Sequence, residues 1–199
     1  MAQRELPSQD SFASRRSPSP SFDLLDRLAT GLYTLASMLV GEGEDSARLV
    51  EAVIANAEVF SGSDLGQTTK KGQLELCKAA IGLLAQRNPK SVAAPVGLEH
   101  ANTCIGDDEL DAAGVSKEEL SRMIAGPELR IWLAGLSDAL RVIFVLRAVG
   151  GLTASETASL LASFGGPAAT AWTAEMVREA FRQALCSLAS QLIQATTTR

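Results

Sequence analysis

Apolar residues recur along this chain at spacings of three and four, in stretches separated by glycine, proline and polar breaks. Phe22, Leu25, Leu28, Leu32, Leu35 and Leu39 fall on one face of a helix. Gly41 and Gly43 stop it. Glu44-Asp45-Ser46 can open a second helix, with acidic groups near its positive N-terminal end. Its stripe is Leu49, Val50, Val53 and Ile54. Ser61 to Gln67 is polar and glycine-containing and predicts a loop. A third helix is expected over Leu74–Ala85, with Leu74, Cys77, Ile81 and Leu84 inward, closed by Asn88-Pro89.

Between positions 88 and 115, three glycines and two prolines interrupt any long element. Ser116-Lys117-Glu118-Glu119 has the form of a capping box and predicts a short helix to about Ala125. Pro127 suits the first turn of another. Leu136–Val149 carries Leu136, Leu140, Ile143 and Phe144 inward and ends at Gly150-Gly151. Thr153-Ala154-Ser155-Glu156 is a second capping box, opening a helix over Ala154–Leu161. After a longer connection containing Gly165-Gly166-Pro167, Thr173 caps a final helix, Met176–Leu192. Two helices joined by a tight glycine turn, followed by a longer helix, have the outline of a DNA-binding helix-turn-helix unit.

The expected fold is all-α, with two helical domains. Residues 1–20, rich in Ser, Pro and Arg, predict a disordered tail. A first domain would span 21–94, a linker 95–116 and a helix-turn-helix domain 117–195. Composition agrees: 46% of the 199 residues are hydrophobic but only 5% aromatic, a mix that favours helices over sheets. The net charge of −5 removes any argument for nucleic-acid binding from bulk charge, although a local basic face would suffice. No run of 18 apolar residues predicts a membrane span, because Asp138, Arg141 and Arg147 break the most apolar window. The N-terminal stretch lacks the apolar core of a secretory signal. Cys77, Cys104 and Cys186 form neither a disulfide framework nor a zinc pattern, which fits a reducing cytoplasm.

Candidate chemistry is sparse. His100 and Cys104 have the spacing of half a zinc site, but only Asp107 stands where a further ligand is needed, so no metal is expected. Asp107, Asp108, Glu109 and Asp111 lack the spacing of a calcium loop. The only histidine has no nucleophile in a known arrangement, and no glycine loop follows a strand. Neither an enzyme nor a cofactor site is indicated. Trp132 and Trp172 predict core or inter-helix contacts, Trp172 bracing the loop before the last helix.

Leu133–Leu161 is similar to region four of bacterial RNA polymerase sigma factors of the extracytoplasmic-function (ECF) group. Leu136-Ser137 stands for the family's Leu-Pro pair. Phe144-Val145-Leu146-Arg147 matches the helix end, Gly151-Leu152-Thr153 the turn, and Glu156-Thr157-Ala158 the triplet that follows. Met176-Val177-Arg178 resembles the opening of the recognition helix. Upstream, Leu32-Tyr33, Leu39-Val40-Gly41, Glu44-Asp45-Ser46 and Leu49-Val50-Glu51 resemble region two. The resemblance implies a transcription initiation factor that binds core RNA polymerase and promoter DNA, with an anti-sigma protein as a further partner. It implies polymerase contacts through Asp45, Arg48, Leu49 and Glu51, and DNA contacts through Thr173, Arg178, Glu179 and Arg182 on the exposed side of the last helix.

Several positions depart from the family pattern. Arg48 and Ala52 replace acidic or amide residues, and the aromatic residues used in promoter melting are missing from 70–85. The last helix opposes Arg178 and Arg182 with Glu175 and Glu179. Residues 133–199 carry five Arg against four acids, net +1, so few phosphates would be neutralised and DNA affinity would depend on the polymerase. Two alternatives stay open: a sigma-fold interaction or regulatory protein without promoter melting, and a plain helix-turn-helix regulator.

Overall fold

The computed structural model describes residues 20–56, 65–95 and 127–197, and among them no strand occurs. The tail before residue 20, the 96–116 stretch with His100, Cys104 and the acidic run, and the helix expected from Ser116 lie outside the described residues.

Three helices form the N-terminal group: α1 (Pro20–Val40), α2 (Glu44–Ala55) and α3 (Leu65–Arg87). α1 buries Leu28, Leu32, Leu35, Ala36 and Leu39, the stripe its spacing predicts. Gly41, at φ +90°, adopts a left-handed conformation that a side chain would strain. The Ser46 hydroxyl, fully buried, donates to the Gly41 carbonyl and ties the opening of α2 back to that turn.

α3 is longer than its apolar pattern suggests. It starts at Leu65, so the expected loop ends earlier and the polar run Gln67–Gln73 is already helical. Its buried face is Leu76, Cys77, Ala80, Ile81 and Leu84, while Leu74 is only half-buried. Polar surface turns carry no apolar stripe, so their periodicity is silent. Burial pushes the Cys77 thiol up to about 12, which keeps it protonated at neutral pH.

The C-terminal group comprises α4 (Pro127–Gly135), α5 (Asp138–Phe144), a π-helical turn (Val145–Val149), α6 (Ala154–Phe164), a 3₁₀ turn (Pro167–Ala169) and α7 (Ala174–Thr197). The Ser137 hydroxyl caps α5 by accepting from the Leu140 N–H. Val142 to Leu146 are fully buried in succession, and the change from α to π geometry lets consecutive residues face inward. Trp132 meets Phe144 edge to face at 4.9 Å, and its indole N–H donates to Ser187 Oγ at 3.1 Å, so it is a core residue as expected. Cys186 on α7 is disulfide-bonded. Widely scattered cysteines give no spacing signal for such a pairing.

The two groups of helices share one hydrophobic core. α1 lies against α5 and the π turn, and α3 lies against α6. The Arg141 Nε–H donates to the Leu39 carbonyl at 3.0 Å, and Arg130 pairs with Glu42 at 2.7 Å. The Ala94 N–H donates to the Ala168 carbonyl at 3.2 Å. No described helix is long and apolar enough to cross a membrane.

Candidate nucleic-acid interface

The corner where a helix-turn-helix is expected begins at the end of the π turn. The Gly150 N–H reaches the Val145 carbonyl at 2.9 Å, and the Leu152 N–H reaches Leu146 at 3.1 Å. Gly151, at φ +67°, makes the reversal between them. Arg147 braces this corner: its guanidinium donates to the Leu152 carbonyl at 2.9 Å and sits 5.1 Å from the centre of the Phe181 ring. Arg147 at this helix end is thus a structural clamp.

α6 starts with a complete capping box. The Glu156 N–H donates to Thr153 Oγ1 at 3.2 Å, and the Thr153 N–H and hydroxyl both donate to Glu156 Oε2 at 2.7 Å. These bonds, the backbone one first, hold the Glu156 carboxyl below its ordinary value. A lowered carboxyl value means that the box stabilises the folded state above the unfolded-chain value and loses that contribution as pH falls through the folded one. Acidification should therefore loosen the first turn of α6, seen as shifts of the Thr153 and Glu156 amides by NMR. Glu156→Gln should show no such acid step; an unchanged step in that variant would assign it elsewhere.

The connection to α7 is organised by the 3₁₀ turn. Trp172 fixes it, as the sequence suggests: the buried indole N–H donates to the Val92 carbonyl at 2.9 Å. Thr173 then caps α7, accepting from the Met176 N–H at 3.2 Å. Val177, Ala180, Phe181, Ala184 and Leu188 face the core.

Only part of the predicted reading face is exposed. Thr173 is exposed, with its hydroxyl engaged in the cap. Arg178 is exposed and pairs with Glu175 one turn back. Glu179 and Arg182 are buried, at 6% and 8% exposure, and bonded to each other. Their expected place on the exposed side of the helix is corrected. Two opposite charges three residues apart can neutralise one another and turn inward together, which a solvated-face reading of single residues overlooks. Glu179 Oε1 and the Thr157 hydroxyl, both buried, have no hydrogen-bond partner among the described residues.

The predicted polymerase residues lie on α2. Arg48 and Glu51 are exposed, and Arg48 pairs with Glu44 at 2.5 Å. Asp45 is half-buried and pairs with Arg87 of α3. Leu49 is a core residue at 7% exposure, which corrects its assignment to a contact surface. The accessible face of α2 is Glu44, Arg48, Glu51, Ala52, Ile54 and Ala55, so Ile54, expected in the inward stripe, lies at the surface instead. No protein-family model, curated protein or solved structure matches the chain. Among the described residues, no group of three or more metal-ligating side chains converges.

Two further polar contacts carried no local signal. Glu42 and Arg130 are 88 residues apart, and Arg141 meets a backbone carbonyl 102 residues away. Both border a cavity between the two groups of helices.

Proposed function

We propose that this chain is a sigma-like transcription initiation factor that binds core RNA polymerase and promoter DNA, and has no enzymatic activity or cofactor of its own. The observation that carries the reading is the α5–α6–α7 unit. It has a left-handed glycine corner, a two-way capping box and an N-capped last helix, in the chain order of the region-four resemblance. Thr173 and Arg178 remain at the exposed start of α7, where a recognition helix meets base edges. Arg48 and Glu51 remain available for polymerase. Reconstituted transcription with core polymerase tests this: start-site-specific transcripts are expected, and failure of both polymerase capture and transcription by well-folded protein would overturn it.

Burial of Glu179 and Arg182 favours a second reading, a sigma-fold regulator that captures polymerase without reading a promoter. It predicts stable polymerase capture with no transcripts. A plain helix-turn-helix regulator predicts promoter binding without polymerase.

A further inference from the structure

A cavity of about 550 Å³ opens between the C-terminal end of α1 and helices α4 and α5, away from the exposed start of α7. That volume lies within the range of sites for small organic ligands, roughly 300–1,000 Å³. Its walls come from both groups of helices. Met38 of α1 and Leu133 of α4, at 8% and 3% exposure, supply an apolar floor with Val149. The Thr34 and Ser37 hydroxyls also reach the wall, but they donate to the Thr30 and Tyr33 carbonyls of their own helix at 2.9 and 2.7 Å. Tyr33, 41% exposed, also lines the cavity.

Among the described residues, the charged lining is two guanidiniums, Arg130 and Arg141, and one carboxylate, Glu42. Arg141 is held in place, with Nε on the Leu39 carbonyl and Nη2 on Asp138, while Nη1 makes no hydrogen bond among the described residues. Arg130 and Glu42 pair at the rim with side chains 60% and 62% exposed. So exposed a pair is weak, and its carboxylate can be exchanged for another at little cost.

We propose that this cavity is a binding site for an amphipathic monocarboxylate. The ligand carboxylate takes the place of Glu42 at Arg130 and accepts from the open Nη1 of Arg141. Its apolar body covers Met38, Leu133 and Val149 and lies against the Tyr33 ring. Because the exchange at Arg130 leaves the number of ion pairs unchanged, affinity comes from apolar burial and from the second guanidinium. The ligand touches α1, α4 and α5 together, so it stabilises the arrangement in which the two groups of helices are closed on each other. The site is independent of the initiation-factor reading: a chain inactive in transcription still binds.

The test is calorimetric titration of the full chain with 2-naphthoate, alongside its neutral analogue 2-naphthylmethanol. Saturable one-to-one binding is expected, with a thermal midpoint that rises with naphthoate concentration. The alcohol should bind at least tenfold more weakly. Arg130→Gln, at an exposed position, should weaken naphthoate about tenfold. Ala134→Trp, which grows a bulky side chain from an exposed wall position, should abolish binding with the helical circular dichroism unchanged. No binding by the parent chain at millimolar naphthoate, or undiminished binding by Ala134→Trp, overturns the site. Equal affinity for acid and alcohol overturns the assignment of a carboxylate ligand.

Discussion

Phe144→Ala should lower stability by about 3–5 kcal/mol, the range for removing a fully buried aromatic ring. In a chain of this size that corresponds to a fall in the thermal midpoint of roughly 10 °C. Phe144 is wholly buried, edge on to Trp132 at 4.9 Å and 6.1 Å from the Phe181 ring, so the loss reaches α4, α5 and α7 at once. It should also reach the N-terminal helices, because α1 lies against α5 and the π turn in the same core. Trp fluorescence reports the C-terminal group, which holds both tryptophans, and amide exchange on α1 and α3 reports the other. The expected result is a single transition, destabilised equally by both probes. Full protection of α1 and α3 while the tryptophans are already exposed would mean that the halves fold independently and only touch.

That result bears on how the sequence could be read. Elements written into local patterns were legible: the α1 stripe, the Thr153 box, the Thr173 cap and the Gly41 and Gly151 corners each depend on residues within a few positions of one another. The all-α class follows from the same signals. Features that depend on distant partners were not legible. A proline- and glycine-rich stretch suggests a linker between domains, and nothing local to Arg141 announces that it donates to Leu39, or to Trp172 that it reaches Val92. The start of α3 has no apolar signal because its first turns are polar. The motif around Leu49 points to a surface, although its spacing with Val50 and Val53 puts it in the core. The candidate reading face was half legible. Thr173 and Arg178 could be placed from the cap and the helical period, but Glu179 and Arg182 could not, since a charged pair at this spacing serves on a wet face or inside a dry one.

Arg182→Met should separate these two uses. Removing the guanidinium leaves the Glu179 carboxylate buried without its partner, and one Glu179 oxygen already lacks a hydrogen bond. Breaking such a buried pair from one side costs about 3–5 kcal/mol, because the remaining charge stays desolvated. Adding Glu179→Leu to that variant removes the stranded charge and should recover the part of the loss that comes from it. Arg178→Ala, at an exposed position with only a surface pair to Glu175, should change stability by no more than about 0.5 kcal/mol. Under the proposed initiation-factor reading, promoter affinity should follow the opposite order. Arg178→Ala should weaken polymerase-directed promoter binding at unchanged thermal midpoint. The double replacement of Glu179 and Arg182 should bind as the parent does once refolded stability is restored. Denaturation curves and promoter-binding titrations on the same three variants decide it. An Arg182→Met chain of parental stability that fails to bind promoter would return Arg182 to the DNA-reading face and make its burial a feature of the free protein alone.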